Sequence, residues 1–161
     1  MSEASSHSAA DGRADSVIVA CPVDAALNRV PRERLAQDPK CGTCHNALFP
    51  GKAVEMTASN FERHTARSDL PVVIDFWAAW CGPCRTMSPN VEAAARLLEP
   101  RVRMAKLDTE AMPDISARYA IRSIPTLIMV HKGREIARTS GAMPTQAIVQ
   151  WVGNTLAQAR L

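Results

Sequence analysis

The longest apolar stretch of the chain runs from Leu70 to Ala79, and Asp75 is its one ionisable member. An unbroken run of this kind, without alternation, predicts a central parallel strand covered on both faces. Trp80-Cys81-Gly82-Pro83-Cys84 follows as a turn. Met87, Val91, Ala94 and Leu98 then recur at spacings of four, three and four, which predicts a helix with one apolar face to about Leu98. Pro89 lies inside that helix and, lacking a backbone donor, is expected to kink it after its first turn. Upstream, Ala53–Met56 reads as an edge strand. Ser59-Asn60-Phe61-Glu62 has the spacing of a capping box for a helix to about Ser68, with His64 exposed on it. Downstream, Val102, Met104 and Leu107 mark a strand, and Met112 to Ala120 a short helix with Ile115 and Tyr119 one turn apart. The run Leu127–Val130, a Lys132-Gly133 turn and a strand near Glu135–Thr139 read as a hairpin, with His131 exposed beside the turn. A last helix opens near Pro144 and keeps Ile148, Val152 and Leu156 on one face. From residue 53 the predicted order is β, α, β, α, β, α, β, β, α, an α/β arrangement.

The first fifty residues lack this regularity. Residues 1–16 are mostly Ser, Ala, Asp, Gly and Arg without periodic apolar positions, which predicts a flexible tail and a solvated His7. Residues 17–51 form a distinct small module, rich in cysteine and poor in large apolar side chains, ahead of a main domain over 53–161. The 161 residues, 47% apolar and 22% charged, suit one ordinary domain plus an appendage. The net charge of +3 is dispersed rather than clustered, which argues against nucleic acid as a partner. Val17-Ile18-Val19-Ala20 is far shorter than a signal h-region or a membrane span, so a cytoplasmic location and no membrane association are expected. Five cysteines in a reducing compartment point to metal or redox chemistry rather than a disulfide framework. The methionines read as core filler.

Cys41-Gly42-Thr43-Cys44 has the knuckle spacing that brings two sulfurs to one tetrahedral ion, and Cys21-Pro22-Val23-Asp24 stands sixteen residues before it, as in a two-knuckle ribbon. Asp24 occupies the place of a fourth cysteine. Its oxygen is harder than a thiolate, yet three thiolates and a carboxylate carry the charge of four thiolates. The expected metal set is therefore Cys21, Asp24, Cys41 and Cys44 on a structural Zn2+, with His45 as a less convenient substitute. A module with so small a core needs such a staple. Two other readings remain: cysteines that are merely buried or free, and Cys41 with Cys44 as a second, regulatory dithiol. The other pair, Cys81 and Cys84, sits where a strand delivers it to a helix N-terminus. There the unpaired N–H groups and the dipole favour a thiolate, the nucleophilic form of cysteine. Gly82 leaves room for a substrate, and Pro83 fits a first helical turn. Asp75 inside an apolar strand is expected to hold its proton more tightly than usual.

Asp75-Phe76-Trp77-Ala78-Ala79-Trp80-Cys81-Gly82-Pro83-Cys84, Lys106, Ile124-Pro125-Thr126 and Gly141-Ala142 fall in the order and spacing of the thioredoxin family. Residues 53–161 resemble that family. With its cysteine-bearing leader, the whole chain is similar to the zinc-containing second thioredoxins of bacteria, from which it departs at Asp24. The resemblance implies a thioredoxin fold, a central mixed β-sheet flanked by helices, with a small zinc-ribbon-like N-terminal extension. It implies a protein-disulfide reductase in which Cys81 is the exposed attacker and Cys84 the buried resolver. Asp75 would accept the proton of Cys84, with Lys106 its neighbour. Pro125 after Ile124 would be a cis proline that holds substrate backbone and keeps metal from the thiols. Trp80, Gly82, Pro83, Ile124 and Ala142 would form the surrounding contact patch, with Trp77 packed beneath. Implied partners are disulfide-containing proteins and an NADPH-dependent flavoprotein, thioredoxin reductase; no tightly bound organic cofactor is expected. Two other classes compete: a redox-responsive binding module or chaperone that releases zinc from its leader, and a periplasmic disulfide donor. The absence of a signal peptide and the Gly-Pro between the cysteines disfavour the donor.

Overall fold

The computed structural model describes residues 15–161, and the expected tail lies outside the described residues except for Asp15 and Ser16. Seven strands are found there: β1 (Ser16–Ala20), β2 (Leu27–Pro31), β3 (Val54–Glu55), β4 (Val72–Trp77), β5 (Arg103–Asp108), β6 (Thr126–His131) and β7 (Arg134–Ser140). Three α-helices accompany them: α1 (Gly82–Leu98), α2 (Pro113–Arg118) and α3 (Thr145–Ala159). Strands β3 to β7 make one sheet in the order β3-β5-β4-β6-β7. β4 is central, parallel to β5 and antiparallel to β6, so the unbroken apolar run signalled burial on both faces rather than purely parallel neighbours.

Alternation along β4 divides the core. Val73 packs with Met87, Val91, Ala94, Ala95 and Leu98 of α1 and with Ile148, Val152 and Leu156 of α3. Ile74 and Phe76 face the other way, onto Phe61, Ile115 and Ile128. The α1 residues chosen from periodicity are all fully buried, at about 1.5–3 kcal/mol for each larger side chain. α1 continues through Pro89 to Leu98. This face seats the N-terminus of α1 at the end of β4, which places the cysteine pair.

The segment expected to be a capped helix differs. Thr57 and Asn60 cap each other, with Asn60 Oδ1 accepting from Thr57 N at 2.8 Å and Thr57 Oγ1 from Asn60 N at 3.3 Å. The chain then winds as a π-helical turn over Arg63–Arg67 whose start has no side-chain cap from Ser59. The wider turn carries His64 inward, to 1% exposure, contrary to the expected exposed position. The turn packs against β1 of the N-terminal module.

That module is a β1–β2 hairpin followed by a loop with an isolated bridge between Lys40 and Ala47. Its core of Val17, Val19, Val30 and Leu48 is completed by Leu70, which the sequence pattern assigned to the central strand. Asp69 clamps β1: its carboxylate accepts from Ile18 N at 2.7 Å and its own N–H donates to Ile18 O at 2.8 Å. On the far side a buried ion pair reaches across. Arg103 binds Glu99 at 3.1 Å, donates to Ala20 O at 3.0 Å and lies 5.1 Å from the centroid of the Phe49 ring, while Glu99 accepts from Gly51 N at 2.8 Å.

Candidate active site and candidate metal centre

Cys81 and Cys84 are joined as a disulfide, with Cα atoms 5.2 Å apart. Cys81 is the extended residue before α1, and its Sγ accepts the Cys84 N–H at 3.2 Å, the place where a helix start stabilises negative charge. Pro83 occupies the first turn, where its missing donor is not needed. Cys81 is 4% exposed against 2% for Cys84, so in this disulfide form the expected exposed attacker is nearly as covered as its partner. Ile124 O lies 3.8 Å from Cys81 Sγ, and the Ile124–Pro125 bond is cis, which brings the loop before β6 over the sulfur. Pro125 O accepts from Gly141 N at 2.9 Å, tethering the Gly141-Ala142 corner beside it. Trp80 is 67% exposed, and its indole Nε1 donates to Glu110 at 2.8 Å. Pro83 and Ala142 are also exposed, and Gly82 and Ile124 partly so.

Asp75 is fully buried, and neither carboxylate oxygen has a hydrogen-bond partner among the described residues. Burial raises its pKa to about 7, against the opposing pull of the Lys106 charge. Lys106 is its register partner on β5, but the ammonium donates to Ser88 Oγ and stands 5.1 Å from the Trp77 ring centroid. Trp77 packs there with its own Nε1 unpartnered among the described residues.

In the N-terminal module, ligand atoms of Cys21, Asp24, Cys41 and Cys44 all lie within 4.8 Å of one another. The two knuckles repeat one geometry: Ala25 N donates to Cys21 O and His45 N to Cys41 O, each at 2.9 Å, with both donors at positive φ. His45 thus serves the second knuckle through its backbone and stands outside the ligand group. Cys21 and Cys44 sulfurs are 3.6 Å apart, and Cys41 Sγ is 3.6 Å from Asp24 Oδ1. Zn–S bonds of about 2.3 Å at tetrahedral angles put sulfurs roughly 3.8 Å apart, so the donors fit such an ion. Polar hydrogens also aim at the sulfurs, from Val23 N and Thr43 N and from the Asn28 and Asn46 amides. Burial lifts the Cys41 thiol, but the Cys44 and Thr43 N–H groups and Asn28 outweigh it and bring the thiol down to about 7. Burial pushes the Cys21 thiol up to about 12, and a bound cation is what deprotonates such a thiol.

Residues 52–154 match the family model described as Thioredoxin. The chain belongs to the thioredoxin family. Thioredoxins are protein-disulfide reductases, and this thioredoxin carries its dithiol on the family's fold. Residues 20–46 match a zinc-ribbon model described as Thioredoxin 2, N-terminal. The chain is 47% identical to Thioredoxin C-3 of Corynebacterium nephridii over 142 residues, 88% of this chain and 97% of that one. It is 39% identical to Thioredoxin 1 of a Nostoc species over 98 residues, covering 61% of this chain and 92% of the relative. A crystal structure of chloroplastic thioredoxin z superposes with a TM-score of 0.60 at 30% identity, covering 66% of this thioredoxin and 96% of that chain. Ser88 and Glu110, which hold Lys106 and Trp80, escaped the sequence reading. Ser88 had a signal, since it stands four residues after Cys84 and so one turn along the same helix face.

Proposed function

We propose that this thioredoxin reduces protein disulfides in the cytoplasm through Cys81 and Cys84 and is recycled by an NADPH-dependent flavoprotein reductase. The observation that carries the reading is the dithiol at the start of α1, backed by a buried acid with no hydrogen-bond partner among the described residues. The Cys81 thiolate attacks one sulfur of a substrate disulfide, forming a mixed disulfide and releasing the other sulfur as a thiolate that takes a proton from solvent. Cys84 then gives its proton to Asp75 and attacks Cys81 Sγ. The Cys81–Cys84 bond forms, the bond to substrate breaks, and the second substrate sulfur leaves reduced. Two electrons have passed from the dithiol to the substrate. A carboxyl with a pKa of about 7 is poised for that transfer near neutral pH. The rim of Trp80, Gly82, Pro83, Ile124 and Ala142 is suited to an extended substrate segment, with the Ile124-Pro125 backbone beside the sulfur as its partner strand.

Zinc is the ion that Cys21, Asp24, Cys41 and Cys44 would hold, and its contribution would be structural, cross-linking the two knuckles of a module with a small core. Among the described residues no helix is long and apolar enough to cross a membrane. Insulin-disulfide reduction coupled to NADPH and a thioredoxin reductase tests the reading. Cys81→Ser and Cys84→Ser are each expected to abolish turnover; wild-type turnover in the double variant refutes it.

A further inference from the structure

Asp75 and Lys106 face each other in register on adjacent parallel strands, the natural arrangement for an ion pair. None forms among the described residues: both Asp75 oxygens are unpartnered. The ammonium instead reaches α1, where Ser88 Oγ accepts from it, and rests against the Trp77 ring. Ser88 lies one helical turn after Cys84, so a single face of α1 carries both the resolving cysteine and the group that holds the lysine.

We propose that Ser88 is a positioning residue of the dithiol centre: its hydroxyl holds the Lys106 ammonium away from Asp75 and leaves that carboxyl free to exchange a proton with Cys84. The physical reason is that an opposite charge within about 4–6 Å favours ionised carboxylate and makes it a weaker base. A serine that captures the cation on the neighbouring helix weakens this effect while keeping the cation nearby to limit the penalty of burial. Other elements do not supply the missing charge. β6 sets Leu127 opposite Asp75 and carries no ionisable side chain before His131, whose ring bonds Asp69 O. α3 has no ionisable residue, and Glu92 of α1 is engaged by Ala53 N. Lys106 is therefore the cation whose position Ser88 controls.

The inference rests on the reading of Asp75 as proton acceptor for Cys84, and the two are tested apart. The Asp75 carboxyl carbon is followed by NMR from pH 5 to 9 in oxidised wild type, Ser88→Ala, Ser88→Thr and both Lys106→Met and Ser88→Ala/Lys106→Met. In the same variants, stopped-flow measures the pH dependence of mixed-disulfide resolution. In Ser88→Ala the Asp75 titration is expected to fall by about one unit, with the rate limb moving alike. Ser88→Thr, which keeps the hydroxyl, is expected to titrate as wild type. Adding Ser88→Ala to Lys106→Met is expected to change nothing further. A titration that stays in place in Ser88→Ala, or that moves equally without Lys106, overturns the proposal. If the titration moves while the rate limb stays, and Asp75→Asn keeps that limb, the link to Cys84 is overturned while the hold of Ser88 on Lys106 stands.

Discussion

Replacing Asp75 with Asn removes a titratable group that the fold buries without a hydrogen-bond partner among the described residues, and the consequence for stability is set by proton linkage. The folded carboxyl keeps its proton up to a pKa of about 7, raised from 3.8 by burial against the opposing pull of Lys106. The unfolded carboxyl ionises near its ordinary value. Between these two values the folded state binds the extra proton, so stability falls as pH rises from about 4 to about 7 and then levels off. At about 1.36 kcal/mol per unit, an interval of roughly three units amounts to about 4 kcal/mol lost at alkaline pH. By pH 5 only about 1.5 kcal/mol of that loss has occurred. Asn carries its own penalty for a buried amide, but that penalty does not vary with pH, so the slope is the test. Urea unfolding of oxidised wild type and Asp75→Asn at pH 5, 6, 7 and 8 measures it. The variant is expected to gain on wild type by roughly 2–3 kcal/mol between pH 5 and 8. A stability difference that stays constant over that range refutes the assignment of Asp75 as a buried acid whose titration the fold moves up to near neutral pH.

Arg103→Met strands Glu99 in the contact between the N-terminal module and the main sheet and is expected to cost about 3–5 kcal/mol in urea unfolding, with Glu99→Gln/Arg103→Met recovering most of it. An equal loss in single and double variants would contradict the ion pair's role. His64, its pKa lowered to about 4 by burial and by the Arg103 charge, is neutral in the fold, so stability should be full above its ordinary value of 6.5 and fall as pH drops toward 4. His64→Leu should flatten a loss of about 3 kcal/mol over that interval, and an unchanged slope would place the loss elsewhere. Protein purified without a metal-affinity tag should contain one zinc per chain by elemental analysis, with Cys41→Ser and Asp24→Ala deficient in it. Stoichiometric zinc retained in both variants would reject this ligand set.

The features legible in the sequence are those in which local pattern and tertiary burial agree. Met87, Val91, Ala94 and Leu98 declare the inner face of α1 by spacing alone, and each is fully buried. The cysteine pair at a strand–helix junction and the Ile124-Pro125 step are likewise local in the chain, and the fold brings them within 3.8 Å. Features set by distant partners were not legible. His64 reads as the polar side of a short helix, but the π-helical turn and the docked hairpin bury it. Arg103 is one of the dispersed charges of the sequence; it is 1% exposed where Glu99, four residues before it, and the Ala20 carbonyl, from the N-terminal module, meet it. Val17-Ile18-Val19-Ala20, short and unremarkable in sequence, forms half of a hairpin because Asp69, some fifty residues on, supplies the hydrogen bonds along its edge. Asp75 could be recognised as a buried acid, whereas the capture of its neighbouring cation by Ser88 depends on how α1 is seated on β5.

The most direct test of the dithiol mechanism is a covalent trap. Reduced Cys84→Ser protein is mixed with an oxidised disulfide substrate, and the products are resolved by non-reducing mass spectrometry with peptide mapping. A stoichiometric mixed disulfide at Cys81 that persists in Cys84→Ser, and that reduced wild type resolves within seconds, is the expected result. An adduct at Cys41 or Cys44 instead, or none at Cys81, would contradict attack by Cys81 followed by resolution through Cys84.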